Sequence, residues 1–388
     1  MMTNRDSHGA RSGFEAVRRS SGGRMNCGAF ASRAGLQGAP SYARAGRFIR
    51  FRTAFGRNAA SVLILTLWTL FFLASLAVAI GAHVSAGLRM AGAFKSETTS
   101  YYAARAAIER AVGVVAADTN RWDAWNEPWH GTDAPFELMA VGDAEARVYS
   151  VDKDSLGHSV TNFGLVDEES RIDINRAHPK LIEALFRDVG DLGETEAADV
   201  AAAVVEWRTA DAEEQVLTEK PSNDYYATLS GPYDPHHGHF ALVEELALVR
   251  GVDASLFEAV KRHVTVYGTG KVNLNTAGRV VLEALAGRWG DDPHTAGTLI
   301  EKIEAFRESG RSFESPDRRV IAKALGDWTE LSAGEAALLR SMARSVQVHS
   351  EYYGGTAEGW SGVEGSAESR IRFVFDKSRR RKVYWHER

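Results

Sequence analysis

The sequence predicts an α+β fold in which a long N-terminal helix packs on a small antiparallel sheet, with a large all-helical domain inserted between strands. Three patterns in the 388 residues indicate this arrangement. An uncharged apolar stretch from Asn58 to Leu88 continues into a segment whose apolar residues lie three or four positions apart. Segments of alternating polarity, typical of strands, flank a long region with helical periodicity.

The N-terminal region predicts a single membrane span. Residues 1–60 carry eleven arginines but only two acidic residues, which favours a cytoplasmic, disordered or cleaved leader. Residues 61–117 are predicted to form one helix that begins in lipid and ends on its own protein. Ordinary signal-peptide cleavage near Ser85 is the alternative. The predicted anchor residues are Val62, Leu63, Leu65, Trp68, Phe71, Phe72 and Leu76.

Two segments supply the predicted strands, residues 118–173 and residues 346–388. The first contains Trp122, Trp125 and Trp129, a cluster more typical of a local core than of a binding platform. In the second, SVQVHSEYYG alternates as a strand, and SRIRFVFD and VYWHER form a predicted hairpin. The only cysteine is Cys27 in the leader, so no disulfide is expected beyond the membrane.

Residues 174–345 are the predicted helical insertion. NRAHPKLIEALF, HFALVEELALVRGV and VNLNTAGRVVLEAL each open what is interpreted as a helix-turn-helix unit, giving about three divergent copies between residues 174 and 310. Asn175 is placed to cap the first helix. The second copy turns at Arg250, Gly251 and Val252.

A long polar loop separates the first two copies. Its carboxylates suit a hard cation such as Ca²⁺, and its three histidines raise the weaker alternative of a transition metal; a solvated acidic loop is the structural alternative. The weak calcium candidates are Asp211, Glu213, Glu214 and Asp224, and the histidines are His236, His237 and His239.

No motif for a nucleophile, a phosphate loop or a metalloprotease is present in the sequence, which predicts that the chain is not an enzyme. A membrane-tethered helix-hairpin-helix protein that binds DNA during uptake is the alternative. Asp253 stands where such a hairpin needs a second glycine, and residues 165–345 hold 20 basic against 32 acidic side chains. Both features oppose phosphate binding, so no nucleic acid is expected.

Five segments together resemble one known family. They are GLVDEESRIDINRA, VVEWRTADAEE followed by NDYYATLSGPYDP, FALVEELALVRGV, YGTGKVNLNTAGRVVLEAL and VYWHER. In order and spacing they are similar to the minor pseudopilin K of the type II secretion system of Gram-negative bacteria, from about Ser61 to the C-terminus.

This resemblance implies a pilin-like fold, a structural role at the tip of a periplasmic pseudopilus, and an inner-membrane anchor with the C-terminal domain in the periplasm. The implied partners are other minor pseudopilins, the inner-membrane platform, prepilin peptidase and membrane lipid.

The resemblance also implies cleavage of the leader by prepilin peptidase. Ala60 and Ser61 stand at the expected cut, with Gly56 as the less favoured position. The fifth mature residue would be Leu65, where most pilin-like proteins have Glu and pseudopilin K commonly does not. Some members bind calcium in the insertion; Asp211 and Asp224 match in place, but a Gly-Ala-Glu that follows in those members is replaced here around Pro221, Ser222 and Asn223. No other cofactor is implied.

Overall fold

The α+β class is confirmed by a computed structural model, which describes residues 57–131, 135–153, 158–209, 223–289, 292–362 and 369–388. The chain divides into two compact parts, residues 1–74 and 75–388. In the first part the described residues, 57–74, are helical. The second part contains the sheet and the helical insertion.

Helix α1 runs from Arg57 to Ala117 without a proline. Near its C-terminal end, small side chains repeat at helical spacing and are buried against the sheet. Gly359 on the sheet lies so close to the backbone of Ser100 and Ala104 that a Cβ atom there would overlap them. Small residues on both surfaces therefore allow close packing. The buried residues of α1 are Ser100, Ala103, Ala104, Ala107, Ile108, Ala111 and Val115.

The main sheet is antiparallel, in the order β1-β2-β9-β10-β11, with β3 pairing with β2 and β4 pairing with β9. Residues of β9 and β10 alternate between the face that contacts α1, as Ala357 and Phe373 do, and the opposite face. The strands are β1 Met139–Val141, β2 Ala144–Lys153, β3 Ser159–Phe163, β4 Val166–Asp167, β9 Tyr352–Trp360, β10 Ser369–Asp376 and β11 Arg381–Glu387.

The helical insertion lies in the chain between β4 and β9. Its helices are α2 Pro179–Gly190, α3 Glu194–Arg208, α4 Asn223–Ala227, α5 Ala254–Val260, α6 Arg279–Gly287, α7 Pro293–Glu308, α8 Arg318–Trp328 and α9 Ala333–Met342. Two short parallel pairs tie it together: β5 Ile172–Asp173 with β6 Val264–Thr265, and β7 Val272–Asn273 with β8 Val346–Gln347.

The insertion is built from two equivalent halves, residues 172–266 and residues 272–348. In the first half the Asn175 amide donates to the carbonyl oxygen of Phe240 and accepts from the Phe240 amide, at 3.1 and 2.8 Å. In the second half Asn275 does the same with Phe313, at 3.0 and 2.8 Å. Each buried asparagine side chain therefore takes the place of a backbone hydrogen-bond partner for a phenylalanine that is distant in the sequence.

An arginine completes the equivalence. Arg208, at the end of α3, donates to the carbonyl oxygens of Ile174 and Ala177. Arg307, near the end of α7, donates to those of Leu274 and Ala277. The main difference is length, because the chain from Arg208 to Phe240 is much longer than the chain from Arg307 to Phe313.

Two predictions about local structure were wrong for the first half. Helix α2 is capped by His178, whose Nδ1 accepts from the Lys180 amide at 3.2 Å, because Asn175 is already bonded to Phe240. The segment VEELAL forms a 3₁₀ helix, Val243–Leu248, and not an α-helix. The matching hydrogen bonds of Asn175 with Asn275, and of Arg208 with Arg307, define two repeats, whereas the sequence predicted about three.

The C-terminal segment also differs from its prediction. SVQVHSEYYG does not form one strand, since Val346–Gln347 pairs with β7 and Tyr352 begins β9. The glycine-rich continuation GGTAEGW is strand, and helices α8 and α9 were not predicted. The hairpin of β10 and β11 is confirmed.

Candidate functional site

The apolar part of α1 is suited to cross a bilayer. Helix residues from Ser61 onward include a window with a mean hydropathy of 2.4, none of which is buried in the domain. All seven predicted anchor residues are exposed, for example Trp68 at 68%. A stretch of about 20 apolar residues spans the hydrocarbon core of a bilayer, so this helix is long enough for one crossing.

Apolar residues remain uncovered further along α1. Val84, Leu88 and Phe94 are 52%, 70% and 61% exposed. They lie on both sides of Arg89, the first charged residue after Arg57. Since a membrane span needs only about 20 residues, the uncharged stretch from Asn58 to Leu88, together with Phe94 beyond Arg89, exposes more apolar surface than one crossing requires. Such a surface is typical of a contact with another protein.

A buried carboxylate joins the insertion to the sheet. Asp167, at the end of β4, is fully buried, and its Oδ2 accepts from Asn273 at 3.0 Å, Thr276 at 2.5 Å and Ser350 at 2.6 Å. Burial raises the pKa of Asp167 to about 6. This one carboxylate therefore connects three parts of the fold: β4, where the chain leaves the sheet, the second helical half, and the segment just before β9, where the chain returns to the sheet.

The next two residues extend this junction. Glu168 accepts from the Thr265 hydroxyl at 2.7 Å and from Arg171 at 3.1 Å. Glu169 accepts from the backbone amides of Thr269 and Glu351. Burial, and then the charge of Asp167, raise the pKa of Glu169 to about 7. Asp167, Glu168 and Glu169 thus form a structural connection between the sheet and the insertion. The sequence analysis did not predict this role, although three consecutive carboxylates beside apolar residues were a signal that they are buried together.

A second carboxylate cluster lies where α1 ends. Oxygen atoms of Asp118, Asp123 and Glu127 lie within 4.8 Å of one another. Lys377 places its ammonium 3.2 Å from Asp118 and 3.5 Å from Asp123. The Glu127 oxygens accept from Asn120 and Trp129. Burial raises the pKa of Asp123 and of Glu127. Lysine already supplies a cation here, so the cluster serves to hold the C-terminal hairpin against α1.

The predicted site residues are only partly described. Ala60 and Ser61 lie inside α1, whereas Gly56 lies outside the described residues. Asp211, Glu213 and Glu214 also lie outside them. Asp224 falls in α4, but its side chain is not described. The possible calcium site therefore stays a prediction.

The three histidines of the same loop are described. His236 lies 3.4 Å from Glu245, and His237 has a positive φ of 45°. Glu245 also accepts from the amides of Ala241 and Leu242. These contacts bind the loop to the 3₁₀ helix beside it.

The fold and these surfaces define an α+β protein with a long N-terminal helix suited to cross a membrane, an antiparallel sheet and an inserted helical domain. The family model described as type II secretion system protein K matches residues 161–269. Among solved structures, a chain of the GspK-GspI-GspJ complex of the type 2 secretion system from enterotoxigenic Escherichia coli has the same fold, with a TM-score of 0.55 and 15% identity. The match covers 79% of this chain and 99% of that one.

No curated protein matches the sequence. The family match and the shared fold agree: residues 161–269 are similar to type II secretion system protein K, and the fold is that of a chain of the GspK-GspI-GspJ complex.

Proposed function

We propose that this chain is the minor pseudopilin at the tip of the periplasmic pseudopilus, and that its role there is structural and not catalytic. It is anchored in the inner membrane by α1, with its N-terminus in the cytoplasm. Its partners are other minor pseudopilins, the inner-membrane platform, prepilin peptidase, which cuts before Ser61, and lipid. The related complex joins chains named GspK, GspI and GspJ, which supports the first of these partners.

The observation that carries the proposal is the place where the insertion is attached. The apolar stretch lies at the N-terminal end of α1, while the insertion contacts the segment that follows its C-terminal end. There the Asp123 amide donates to Val348 at 2.8 Å, and the Trp125 indole donates to Thr276 at 2.9 Å. An insertion fixed at that end would leave no room for another pilin-like subunit above it.

The residue at position 65 supports the same proposal. A carboxylate at the fifth mature position would pair with the amine of the next subunit inside lipid, where an unpaired charge is costly. Leu65 offers no such charge and is 64% exposed. A subunit without this carboxylate suits a terminal position, where one of the two neighbours is missing.

The DNA-binding alternative loses its main support. Asn273, Leu274, Asn275 and Thr276 of the VNLNTA segment are all buried. Asp253 occupies the N-cap of α5 and accepts from the Leu256 amide at 2.8 Å. The features that suggested a DNA-binding hairpin are therefore engaged in packing and capping.

Site-specific cross-linking tests the proposal. Cys27→Ser removes the only native thiol, and Phe94→Cys then places one thiol on the uncovered surface of α1. We expect a cross-linker that joins a thiol to a lysine amine to connect Phe94→Cys to other minor pseudopilins in cells that assemble the system. The intact mass of the product also reports the mature N-terminus, expected at Ser61.

Arg319→Cys, at an exposed position of α8, is the matched control. It should join no pilin-like subunit if nothing is stacked above the insertion. Cross-links between two copies of this chain through Phe94→Cys, or a strong Arg319→Cys product with another pseudopilin, would contradict the tip position.

A further inference from the structure

A groove of about 330 Å³ lies between the sheet and the first helical half. It is on the face of the sheet opposite α1, because Phe373 packs with α1 while its neighbours in β10 point the other way. The junction residues Glu168, Arg171 and Thr265 also line it. Its walls include Thr356, Arg372 and Tyr384 on one side and Phe257, Lys261 and Tyr267 on the other.

The groove carries positive charge on an acidic domain. Four basic residues line it, Arg171, Lys261, Arg262 and Arg372, against Glu168 and Glu244. Glu168 is buried and already bonded to Thr265 and Arg171. Lys261 pairs with Glu258, which is not part of the lining, so Arg262 and Arg372 supply the excess positive charge. Since residues 165–345 carry an excess of acidic side chains, this surface reverses the charge of its surroundings.

Arg372 is available to an incoming anion. Its side chain is exposed, and it forms no ion pair with any described residue. Two other arginines on the same face of the sheet differ, since Arg147 and Arg370 both bind the buried Glu358, at 2.6 and 2.5 Å. The sheet thus neutralises two of its cations and leaves the one beside the groove unpaired.

Apolar and aromatic groups lie next to these cations. The rings of Tyr267 and Tyr384 are 6.3 Å apart, and neither hydroxyl has a hydrogen-bond partner within the described parts of the chain. Burial raises the pKa of Tyr267 to about 12, so its hydroxyl remains a donor at neutral pH. Phe257 and Val374 add apolar surface to the lining, and Leu242 is 41% exposed.

We propose that this groove binds an extended, acidic segment of a partner protein that carries apolar side chains between its carboxylates. The carboxylates would pair with Arg372 and Arg262 and accept from the tyrosine hydroxyls, while the apolar side chains would contact Phe257 and Leu242. Charge complementarity and the alternation of cationic with apolar lining favour such a peptide. The inference does not depend on the position of the chain in the pseudopilus.

Peptide binding to the full chain in neutral detergent micelles tests this. The probe is a short fluorescent peptide of alternating glutamate and leucine, compared with one in which glutamine replaces glutamate. We expect salt-sensitive binding of the acidic peptide only. Arg372→Glu should weaken it by about tenfold or more, while Arg319→Glu, which makes the same charge change outside the groove, should not.

Three results would overturn the proposal: equal binding of both peptides, equal loss with the two variants, or displacement by inorganic phosphate at matched concentration, which would indicate a simple anion site. Displacement by phosphatidylglycerol vesicles but not by phosphatidylcholine vesicles would indicate a lipid surface instead. If circular dichroism shows that Arg372→Glu is misfolded, Arg372→Gln and Tyr384→Phe replace it, and binding unchanged by both would also reject the groove.

Discussion

At the scale of single residues, the packing of α1 on the sheet depends on one glycine in β9, Gly359, while a second, Gly355, gives room to the core of the sheet. A Cβ atom at Gly359 would overlap the backbone of Ser100, and one at Gly355 would lie 3.2 Å from Leu165. Backbone atoms cannot move aside as the end of a flexible side chain can. Position 359 is thus a point where the size of one side chain sets the distance between helix and sheet.

Gly359→Ala should lower the free energy of unfolding of the domain by about 1–3 kcal/mol, the usual cost of overpacking a rigid core. Gly113→Ala is the matched control, because a Cβ there has open space and lies inside α1. It should be neutral or stabilising by about 0.5–1 kcal/mol. Thermal unfolding of the full chain, followed by circular dichroism, measures both; equal effects would contradict the packing argument.

At the scale of elements, the two helical halves use the same device to hold a distant segment. Trp207 stacks on Phe240 with ring centroids 6.1 Å apart, and Phe306 stacks on Phe313 at 4.7 Å. Each aromatic pair lies beside the asparagine that binds the same segment. The long chain between α3 and Phe240 is therefore an addition to a shorter common pattern.

Asn275→Leu and Asn175→Leu should have similar effects if the halves are equivalent. Each leaves a buried amide and carbonyl of a phenylalanine without a partner, which costs about 1–3 kcal/mol per group. Hydrogen exchange of the full chain should become faster at the Phe313 amide in the first variant and at Phe240 in the second. Asn120→Leu, a change at an exposed asparagine outside the insertion, should leave both amides protected.

The sequence predicted the elements whose own residues show a clear helical or alternating pattern. It missed the features that depend on contacts with residues distant in the sequence. The apolar stretch predicted α1, and the alternation in SRIRFVFD predicted β10. Asn175 looked like a helix cap because its true partner, Phe240, is distant in sequence. β9 was missed in part because its three glycines, of which Gly359 is required by the approach of α1, weaken a strand signal. The junction carboxylates and the groove combine residues from segments that are distant in the sequence, so no local sequence pattern predicts them.

At the scale of the whole molecule, buried carboxylates tie the pilin-like sheet to its insertion. The pKa of Asp167 is raised to about 6 and that of Glu169 to about 7, from 3.8 and 4.5. The native state therefore binds these protons more tightly than the unfolded state. Their contribution to stability is greatest below pH about 4 and is lost as the pH rises through the native pKa values.

Asp167 should thus make the free energy of unfolding fall by about 3 kcal/mol as the pH rises from about 4 to about 7. Asp167→Asn should remove this dependence. It should also lower stability overall, because an amide that turns its oxygen to the three donors leaves its nitrogen facing the backbone amide of Glu169. Urea unfolding at several pH values measures the difference between the two proteins. Glu314→Gln, at an exposed carboxylate, should keep the original dependence; an unchanged pH profile in Asp167→Asn would reject the argument.

The antiparallel pairing of β4 with β9 has a consequence for how this architecture could arise and be altered. Val166 lies opposite Gly354 and Asp167 opposite Tyr353, so the chain leaves the sheet and re-enters it at adjacent points. Whatever is spliced between those points can grow or shrink without changing the spacing of its two ends. The sheet can therefore accommodate other inserted domains at this point. A compact reporter domain whose termini lie close together could replace the helical insertion.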